Sequence, residues 1–395
     1  MERNELLEML RRTLRSGYRI ALGDGVGALR TLADGTDVCR TLSMAARERG
    51  GVSLILGWMP TAPHGLEADA FAEVISLMPG WGTRKLLPSP MVRAVPTSMA
   101  AIPGLLAGHL RPDVLITRMA EDGEGLRFCT EVSWQRAMVD AGVPVWAVLD
   151  RTAPVASAEK PIPVSQVKIV GIAACRPAEV PSVPPDPVHD ELADRVLQWV
   201  PSGARIQCGP GQLGTALLRR TTVPLQIDTG LLTDAVVDLD RRGLLLGVPS
   251  ATYLLGGQQL YRWADRRPVL RSIEHTHNIN RLACDAPFIA VNTAVEIDRV
   301  GQINVEGIGN KVVGGIGGHP DYCSAARLHR DGLSIIAVPS RLHNRSPLVD
   351  HLSRPASTPA HDVEIIVTEH GYADLRGADW ATRQKLITRL FDKAG

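Results

Sequence analysis

The chain has 395 residues, of which 45% are hydrophobic, and its formal net charge is +1. This length allows two sizeable cores, and the balanced charge favours neither nucleic acid nor an anionic membrane as the main partner. The six cysteines lie far apart without a CxxC pair, which is typical of a reduced protein and indicates neither a disulfide frame nor a zinc site. The N-terminus carries charges throughout and the apolar runs are short, so we expect a cytoplasmic protein without a signal peptide or membrane span.

The first part of the chain alternates between helical and strand-like patterns. Residues 4–16 place leucines near helical spacing and predict an amphipathic helix. Compact apolar runs that predict buried strands follow at residues 18–22, 52–56, 114–116 and 145–149. Helical patterns separate these runs, as near residues 133–141. The alternation predicts an α/β fold with a largely parallel sheet.

Prolines divide the chain near its middle. Residues 161–188 are rich in proline, which favours extended backbone, and we interpret them as a linker between two domains, residues 1–160 and 189–395. The second domain repeats the α/β rhythm. Its helices are predicted at residues 190–199, 213–219 and 235–239, and its strands at residues 205–207, 252–255, 288–292, 333–338 and 363–368.

Two glycine-rich turns are candidate anion sites. In RIQCGPGQLGTALL, residues 205–218, a strand leads through Gly209 and Gly211 into a helix, whose first N–H groups can hold a phosphate. The same pattern also occurs in turns without function. The second turn, residues 314–318, follows a β-branched segment and presents bare backbone N–H groups. Its candidate binding residues are Gly315, Gly317 and Gly318.

Polar side chains accompany two further segments. In EHTHNINRL, residues 274–282, His275 and His277 can point to one face of a strand, and this spacing also suits metal ligands. A third ligand cluster is missing nearby, so we predict no metal. In VTEHGYADLRG, residues 367–377, Glu369 ends a predicted strand. Burial that raises its pKa would make Glu369 a general base, whereas pairing with Arg376 would make it structural.

The order of these motifs resembles the acetyl-CoA hydrolase/CoA-transferase family, which includes the butyrate, 4-hydroxybutyrate and succinyl-CoA:acetate transferases. NTAVEID, GQIN and GIGG match in order between residues 292 and 318, and residues 367–377 match VTExGxAxLRG. The resemblance covers residues 190–390 and extends to residues 1–160 in outline. It implies two α/β domains with mainly parallel sheets in the CoA-transferase architecture, with an active site between them. It further implies coenzyme A as a cosubstrate, no permanently bound cofactor and a homodimer.

One substitution separates the chain from the family pattern. The segment LQIDTGLLTDAVVDLDRRG, residues 225–243, aligns with the family segment that carries a nucleophilic glutamate, and that glutamate falls on Gly230. Asp228 precedes it by two residues and would face the same side of a strand, but roughly 6–7 Å away and on a shorter side chain. Asp234 is predicted to be a helix N-terminal residue.

The resemblance also assigns the remaining site residues. Asn278 and the backbone N–H of Gly318 would form an oxyanion hole for the thioester carbonyl. The glycine turns would hold coenzyme A. The base for water attack would come from one of four residues, namely Glu369, His275, His277 and His319. His319 is open to a second interpretation, as a solvated loop residue.

The expected function is therefore acyl-CoA processing without a glutamyl-CoA intermediate, either by thioester hydrolysis or by an atypical acyl or CoA transfer. Two alternatives stay open. The oxyanion hole can also stabilise an enolate, which would allow carbon–carbon bond formation. The loss of the glutamate also permits an inactive protein that binds coenzyme A, although the presence of Asn278 and Glu369 weighs modestly against it.

Overall fold

The computed structural model describes residues 5–342 and 345–392. Within these ranges two large sheets with flanking helices organise the chain, and several smaller sheets lie near them. None of the helices described is long and apolar enough to cross a membrane. The predicted α/β fold with mainly parallel sheets is confirmed.

The first sheet is built from the N-terminal part of the chain and contains eight strands within the described residues. Its strands are β1 (Arg19–Leu22), β2 (Ser53–Leu56), β3 (Glu73–Ser76), β4 (Val92–Ala94), β5 (Val114–Glu121), β6 (Leu126–Phe128), β7 (Val145–Leu149) and β8 (Val167–Ile172). The helices are α1 (Glu5–Thr13), α2 (Val38–Arg49), α3 (Ile102–Ala107) and α4 (Gln135–Asp140). Short 3₁₀ turns lie at Ala68–Ala70, Trp81–Thr83, Met99–Ala101 and Val164–Gln166.

The strand order of this sheet is β4-β3-β2-β1-β5-β7-β8, and these neighbours run parallel, while β6 pairs antiparallel with β5. The chain extends the sheet to one side of β1 through β2, β3 and β4, and to the other side through β5, β7 and β8. The carboxyl ends of β1 and β5 therefore form a topological switch point, the place where open α/β sheets bind ligands.

The C-terminal part of the chain forms the second large sheet and the smaller ones. Its strands are β9 (Arg205–Cys208), β10 (Gln226–Ile227), β11 (Leu231–Thr233), β12 (Tyr253–Leu255), β13 (Phe288–Asn292), β14 (Glu296–Asp298), β15 (Ile303–Asn304), β16 (Gly307–Ile308), β17 (Lys311–Val312), β18 (Leu333–Ala337), β19 (Leu348–Val349), β20 (Ile365–Thr368) and β21 (Gly371–Asp374). Its helices are α5 (Pro187–Leu197), α6 (Gln212–Arg220), α7 (Asp234–Arg241), α8 (Gln258–Ala264), α9 (Ile273–Thr276), α10 (Ile279–Leu282), α11 (His319–Leu328) and α12 (Trp380–Asp392), with a 3₁₀ turn at Ala360–Asp362.

The second sheet has the order β10-β9-β13-β18-β20-β21 and is parallel except for the last pair. After β9 the chain adds β10 on one side and later adds β13 on the other. A second switch point therefore lies at the carboxyl ends of β9 and β13.

The two large sheets share one apolar core. The largest cluster of buried hydrophobic residues joins β1, β5 and β7 of the first sheet to β9, β13, β18 and β20 of the second. Strand β8 lies inside the predicted linker, residues 161–188, and pairs with β7. This segment is therefore partly built into the first sheet.

Candidate active site

A cavity of about 190 Å³ lies at the carboxyl ends of strands from both large sheets. Gln207, Cys208 and Asn292, at the ends of β9 and β13, contribute to its walls. The N-terminal part of the chain contributes the apolar side chains of Trp58, Met78, Trp81 and Met99. Because both parts of the chain line this cavity, their packing creates it.

Aromatic rings form one wall of the cavity. Trp58 packs edge to face against Trp81, with ring centroids 5.7 Å apart, and against Tyr253, at 5.4 Å. The hydroxyl of Tyr253 points to the buried Asp24 and donates a hydrogen bond of 2.7 Å to its Oδ2 atom. Ser133 Oγ and Trp134 Nε1 also contact this carboxylate oxygen. The ring of Tyr253 therefore adds apolar surface to the cavity, while its hydroxyl is hydrogen-bonded to Asp24.

Asp24 belongs to a buried acidic pair behind this wall. Burial raises the pKa of Asp24 to about 6, although hydrogen bonds from Tyr253, Ser133 and Trp134 oppose the rise. Burial also raises the pKa of Glu131 to about 8, and the nearby charge of Asp24 adds to that effect. The sequence analysis did not identify either carboxylate.

An amide pair provides a polar part of the cavity wall. Asn292 Nδ2 donates to Gln207 Oε1 over 3.1 Å, and Gln207 Nε2 donates to Asn292 Oδ1 over 3.2 Å. The sequence analysis missed both residues as site residues, although their place at the ends of adjacent parallel strands was a usable signal. Burial raises the pKa of the neighbouring Cys208 thiol to about 12, which disfavours the thiolate that a nucleophile requires.

The glycine loop enters the cavity at the start of α11. Gly317 has φ = 65°, a left-handed conformation that favours glycine, and its carbonyl accepts the N–H of Met99 over 2.9 Å. Gly318 is the N-cap of α11, so the partial positive charge of the helix N-terminus faces the cavity. This position suits a developing oxyanion, and the role of the Gly318 N–H as its donor stays a prediction.

Gly230 lies on the cavity wall opposite two buried polar rings. An ideal Cβ atom on Gly230 would be 3.5 Å from Tyr322 Oη, 3.7 Å from His277 Nε2 and 3.8 Å from His277 Cε1. The rings of His277 and Tyr322 pack with centroids 4.7 Å apart. The position aligned with the nucleophilic glutamate therefore faces the interior of the cavity, and an imidazole and a phenol flank it.

The structure corrects two predictions for the segment that carries His277. The segment is not a strand, because residues Ile273–Thr276 form α9 and Ile279–Leu282 form α10. Asn278 is exposed, and its side-chain oxygen caps α10 by accepting the Arg281 N–H over 3.0 Å. Its side chain does not line the cavity, so Asn278 is not placed to donate to a thioester oxygen there.

Asp228 is not placed to act as a nucleophile. It is buried and forms a two-pronged ion pair with Arg281, with Nη1–Oδ2 and Nη2–Oδ1 distances of 2.7 and 2.8 Å. Arg205 Nη1 lies 3.6 Å from the same carboxylate. Asp228 lies outside the cavity wall, in agreement with the geometric objection from strand spacing.

Glu369 also lies outside the cavity wall. It follows β20 and accepts the backbone N–H of Ser340 over 2.8 Å as well as the hydroxyl of Ser340. Desolvation raises its pKa, but the hydrogen bonds from Ser340 outweigh this and lower the pKa below the ordinary value. Of the two alternatives for Glu369, the raised pKa that a general base needs is not found, and Arg376 pairs with Asp374 instead of Glu369.

His319 lines the cavity, but both of its ring nitrogens are engaged. Nδ1 lies 2.6 Å from Thr358 Oγ1, and Nε2 lies 3.0 Å from the carbonyl of Thr293. His319 is buried, which lowers its pKa to about 4 and excludes the interpretation as a solvated loop residue. With Nε2–H donating to a carbonyl and Nδ1 accepting from a hydroxyl, His319 has no free basic atom.

Some of the remaining predicted site residues line the cavity, and others do not. Gly209 lines the cavity together with Gly317 and Gly318, whereas Gly211, Gly315 and His275 lie outside its wall. Gly211 is the N-cap of α6, and Gly315 packs against Met78 and Pro79. Asp234 begins α7, as predicted.

Comparisons with known proteins relate the chain to one family. Residues 256–392 match the model of the acetyl-CoA hydrolase/transferase C-terminal domain. The 4-hydroxybutyrate coenzyme A transferase of Clostridium kluyveri is 26% identical over 220 residues, which are 51% of this chain and 51% of that protein. The match thus spans about half the length of this relative. The succinyl-CoA:cyclohexane-1-carboxylate CoA transferase of Geobacter metallireducens is 25% identical over 98% of this chain and 95% of its own.

Solved structures show the same fold. The crystal structure of RipA from Yersinia pestis superposes with a TM-score of 0.84 at 21% identity, covering 98% of this chain and 96% of that chain. The sequence matches confirm the resemblance to acetyl-CoA hydrolases and CoA-transferases, and the structural match confirms the architecture.

Proposed function

We propose that this chain, a relative of the acetyl-CoA hydrolases and CoA-transferases, hydrolyses the thioester of an acyl-CoA whose acyl group is uncharged. The observation that carries the proposal is the cavity around Gly230. Where the family alignment expects a carboxylate nucleophile the chain has no side chain, and His277, Tyr322 and the start of α11 line the cavity there. A thioester carbonyl at this place lies beside the N-terminus of a helix and beside room for a water molecule.

The absence of a side chain at position 230 favours water attack over CoA transfer. Ping-pong transfer needs a nucleophile that carries coenzyme A between two half-reactions. The nearby carboxylates do not supply one, because Asp228 is paired with Arg281 and Glu369 is bonded to Ser340, both outside the cavity wall. Direct hydrolysis needs only a bound water, a base and an oxyanion site.

The cavity wall also limits the acyl group. None of the described residues that line it is a lysine or an arginine. His277 and His319 are neutral near pH 7, because burial lowers their pKa values to about 3 and about 4. A second carboxylate on the acyl group would therefore be desolvated without a cation, at a cost of several kcal/mol or more.

The size of the cavity suits a small apolar group. A dry apolar cavity of about 150 Å³ in another protein accommodates benzene, and the present cavity of about 190 Å³ is somewhat larger. Short or branched aliphatic acyl groups and simple ring acyl groups therefore fit, and the rings of Trp58, Trp81 and Tyr253 offer them apolar contact.

The test is a panel of acyl-CoA substrates with thiol detection of released coenzyme A. We expect release from butyryl-, isobutyryl- and benzoyl-CoA, and at least about tenfold lower kcat/KM for succinyl-CoA. A preference for succinyl-CoA would refute the assignment of an uncharged acyl group. Binding of acyl-CoA in calorimetry without release from any substrate would refute hydrolysis and support the inactive alternative.

A further inference from the structure

The geometry points to a water-binding site at Gly230, held by His277 Nε2 and Tyr322 Oη, that supplies the attacking water. This inference rests on the proposed thioester hydrolysis for its chemistry, whereas the existence of the water site is an independent structural claim. His277 would be the general base, and the water would occupy space that the glutamate side chain of the family would fill.

The first observation is the hydroxyl of Tyr322. Tyr322 is 3% exposed, and its Oη atom makes no hydrogen bond to any of the described residues. A buried hydroxyl without a partner costs about 1–3 kcal/mol, so native proteins pair such groups with protein atoms or with water. The space in front of Tyr322 Oη is the one left by the missing side chain of Gly230.

The second observation is the tautomer of His277. Thr276 Oγ1 donates its single proton to the Ser272 carbonyl over 3.1 Å, and the same oxygen lies 2.9 Å from His277 Nδ1. With that proton donated to Ser272, Nδ1–H donates to Thr276 Oγ1, and this arrangement leaves the lone pair on Nε2. His277 Nε2 lies between Gly318 and Gly230, 3.7 Å from the ideal Cβ position of Gly230.

The third observation is the space itself. The ideal Cβ position of Gly230 lies 3.5 Å from Tyr322 Oη and 3.7 Å from His277 Nε2. A water oxygen must keep van der Waals distance from the Gly230 Cα, so it lies beyond this point towards the two rings, where hydrogen-bond distances of roughly 2.7–3.2 Å to both atoms can be reached. It then has two polar partners, which meets the lower limit for an ordered buried water, and the thioester provides a third.

The reaction balances with these groups alone. Water oxygen attacks the thioester carbonyl carbon while His277 Nε2 takes one water proton, and the oxyanion forms beside the N–H groups at the start of α11. The C–S bond then breaks, and the proton on His277 passes to the coenzyme A sulfur. The products are the carboxylic acid and free coenzyme A, and His277 returns to its neutral form.

Burial lowers the pKa of His277 to about 3, so the imidazole is neutral across the physiological range but is a weak base in the resting protein. Imidazolium then forms only while the oxyanion is present to compensate its charge.

The direct test is Gly230→Ala, because a methyl group on Gly230 would crowd the water out. The contacts of the new Cβ are ordinary van der Waals distances, and Gly230 is not among the residues with positive φ, so the fold tolerates the change. We expect turnover to fall about 100-fold or more, as for loss of a base-activated nucleophile. The binding of S-butyl-CoA, which has no carbonyl, should change less than about threefold. Gly104→Ala in α3, whose Cβ would meet open space, is the matched control.

Two side-chain variants test the partners of the water. Tyr322→Phe should lower kcat about tenfold or more while keeping the ring packing, and His277→Gln should lower it about 100-fold or more. Both should leave the affinity for S-butyl-CoA within about threefold of the wild type. The exposed Tyr372→Phe and His109→Gln are the matched controls.

A high-resolution crystal structure separates this inference from the proposed function. The expected result is an ordered water within hydrogen-bond distance of Tyr322 Oη and His277 Nε2 in the wild type, and its loss in Gly230→Ala. Wild-type turnover by Gly230→Ala would overturn the water site while leaving hydrolysis intact. An ordered water in a protein that hydrolyses no acyl-CoA would uphold the site and refute the proposed function, and absence of the water at high resolution would overturn the site.

Discussion

Gly318 is the residue on which the packing of the active site depends most closely. A Cβ atom at this position would lie 2.4 Å from His277 Nε2 and 2.9 Å from Tyr322 Cε2. Gly318 therefore allows the imidazole to lie directly against the start of α11, and it keeps the base close to the oxyanion site. Any larger residue must displace one of the two rings.

We predict that Gly318→Ala lowers the free energy of unfolding by about 1–3 kcal/mol, as overpacking of a core does, and that it removes measurable thioester hydrolysis. Denaturant unfolding and the coenzyme A release assay measure the two effects. Gly104→Ala is again the control, since its Cβ meets no atom within 4 Å. Unchanged stability together with unchanged turnover would show that His277 is not packed against Gly318.

A second prediction for a single residue concerns Glu131 and the pH dependence of the free energy of unfolding. Its folded pKa is raised to about 8 from an ordinary 4.5, mainly by burial. The folded state thus holds a proton that the unfolded state loses above about pH 4.5. Glu131 therefore lowers the free energy of unfolding as pH rises from about 4.5 towards about 8. Glu131→Gln should therefore gain stability relative to the wild type as pH increases from 5 to 9.

Denaturant unfolding at several pH values measures this difference, with the exposed Glu121→Gln as the control. Only the slope of the free energy of unfolding against pH tests the raised pKa, because the amide of the Glu131→Gln variant also changes hydrogen bonds that do not depend on pH. Parallel curves for the wild type and Glu131→Gln would contradict the raised pKa.

Single residues were the least predictable part of the site. Gly230 and Gly318, which the motif order had singled out, both line the cavity. The sequence analysis misassigned Asn278 and Glu369, because a polar side chain next to a site can equally cap a helix or bind a neighbouring loop, as both do here. Tyr322 carried no local signal, since its role follows from contacts with distant segments of the chain.

At the scale of elements, an ion pair fixes the segment that carries His277. Arg281, in α10, binds Asp228 with two short contacts and donates from Nε to the His275 carbonyl over 2.8 Å. Asp228 follows β10 directly, so this pair ties the segment between α9 and α10 to the edge of the second sheet. We infer that the pair positions the imidazole and takes no chemical part.

A double-mutant cycle of Asp228→Ala and Arg281→Ala tests this inference. We predict a coupling energy of about 0.5–3 kcal/mol in the free energy of unfolding. Asp228→Ala should cost more than Arg281→Ala, because it also deprives Arg205 of its partner carboxylate at 3.6 Å. Both variants should bind acyl-CoA, and intact mass should show no adduct on wild-type Asp228. An adduct there would revive Asp228 as the nucleophile.

The longer elements were readable from the sequence, whereas the short ones were not. Apolar runs predicted β7 and β13 with the bounds that the structure has, because both are buried on two sides and read as continuous hydrophobic segments. Helices α9 and α10 have four residues each, too few to show a helical period. The alternating pattern EHTHN therefore suggested a strand.

At the scale of the whole molecule, the shared core makes the two large sheets depend on each other. Buried residues from both sheets belong to one apolar cluster, and Asp321 in α11 accepts the Ala100 N–H over 3.0 Å. The sequence predicted the α/β alternation but not this contact, because packing between distant segments leaves no local pattern. Separate domains joined only by a linker would leave the cavity without its apolar wall.

We therefore predict that the protein unfolds in one cooperative transition. Far-ultraviolet circular dichroism, tryptophan fluorescence and the loss of acyl-CoA binding should give coincident midpoints in denaturant. Two separated transitions, with binding lost in the first, would show that the sheets are stabilised independently. Bound acyl-CoA should raise the midpoint, because it binds only the folded state.

The central claim is that water, and no carboxylate of the protein, attacks the thioester. A single turnover of butyryl-CoA with excess enzyme in water enriched in oxygen-18 tests it most directly. We predict that the butyrate from this first turnover carries one oxygen-18 atom and that the intact mass of the protein is unchanged. Unlabelled butyrate together with oxygen-18 in a side-chain carboxylate would show that the protein supplied the oxygen through a covalent intermediate, and the account would be contradicted.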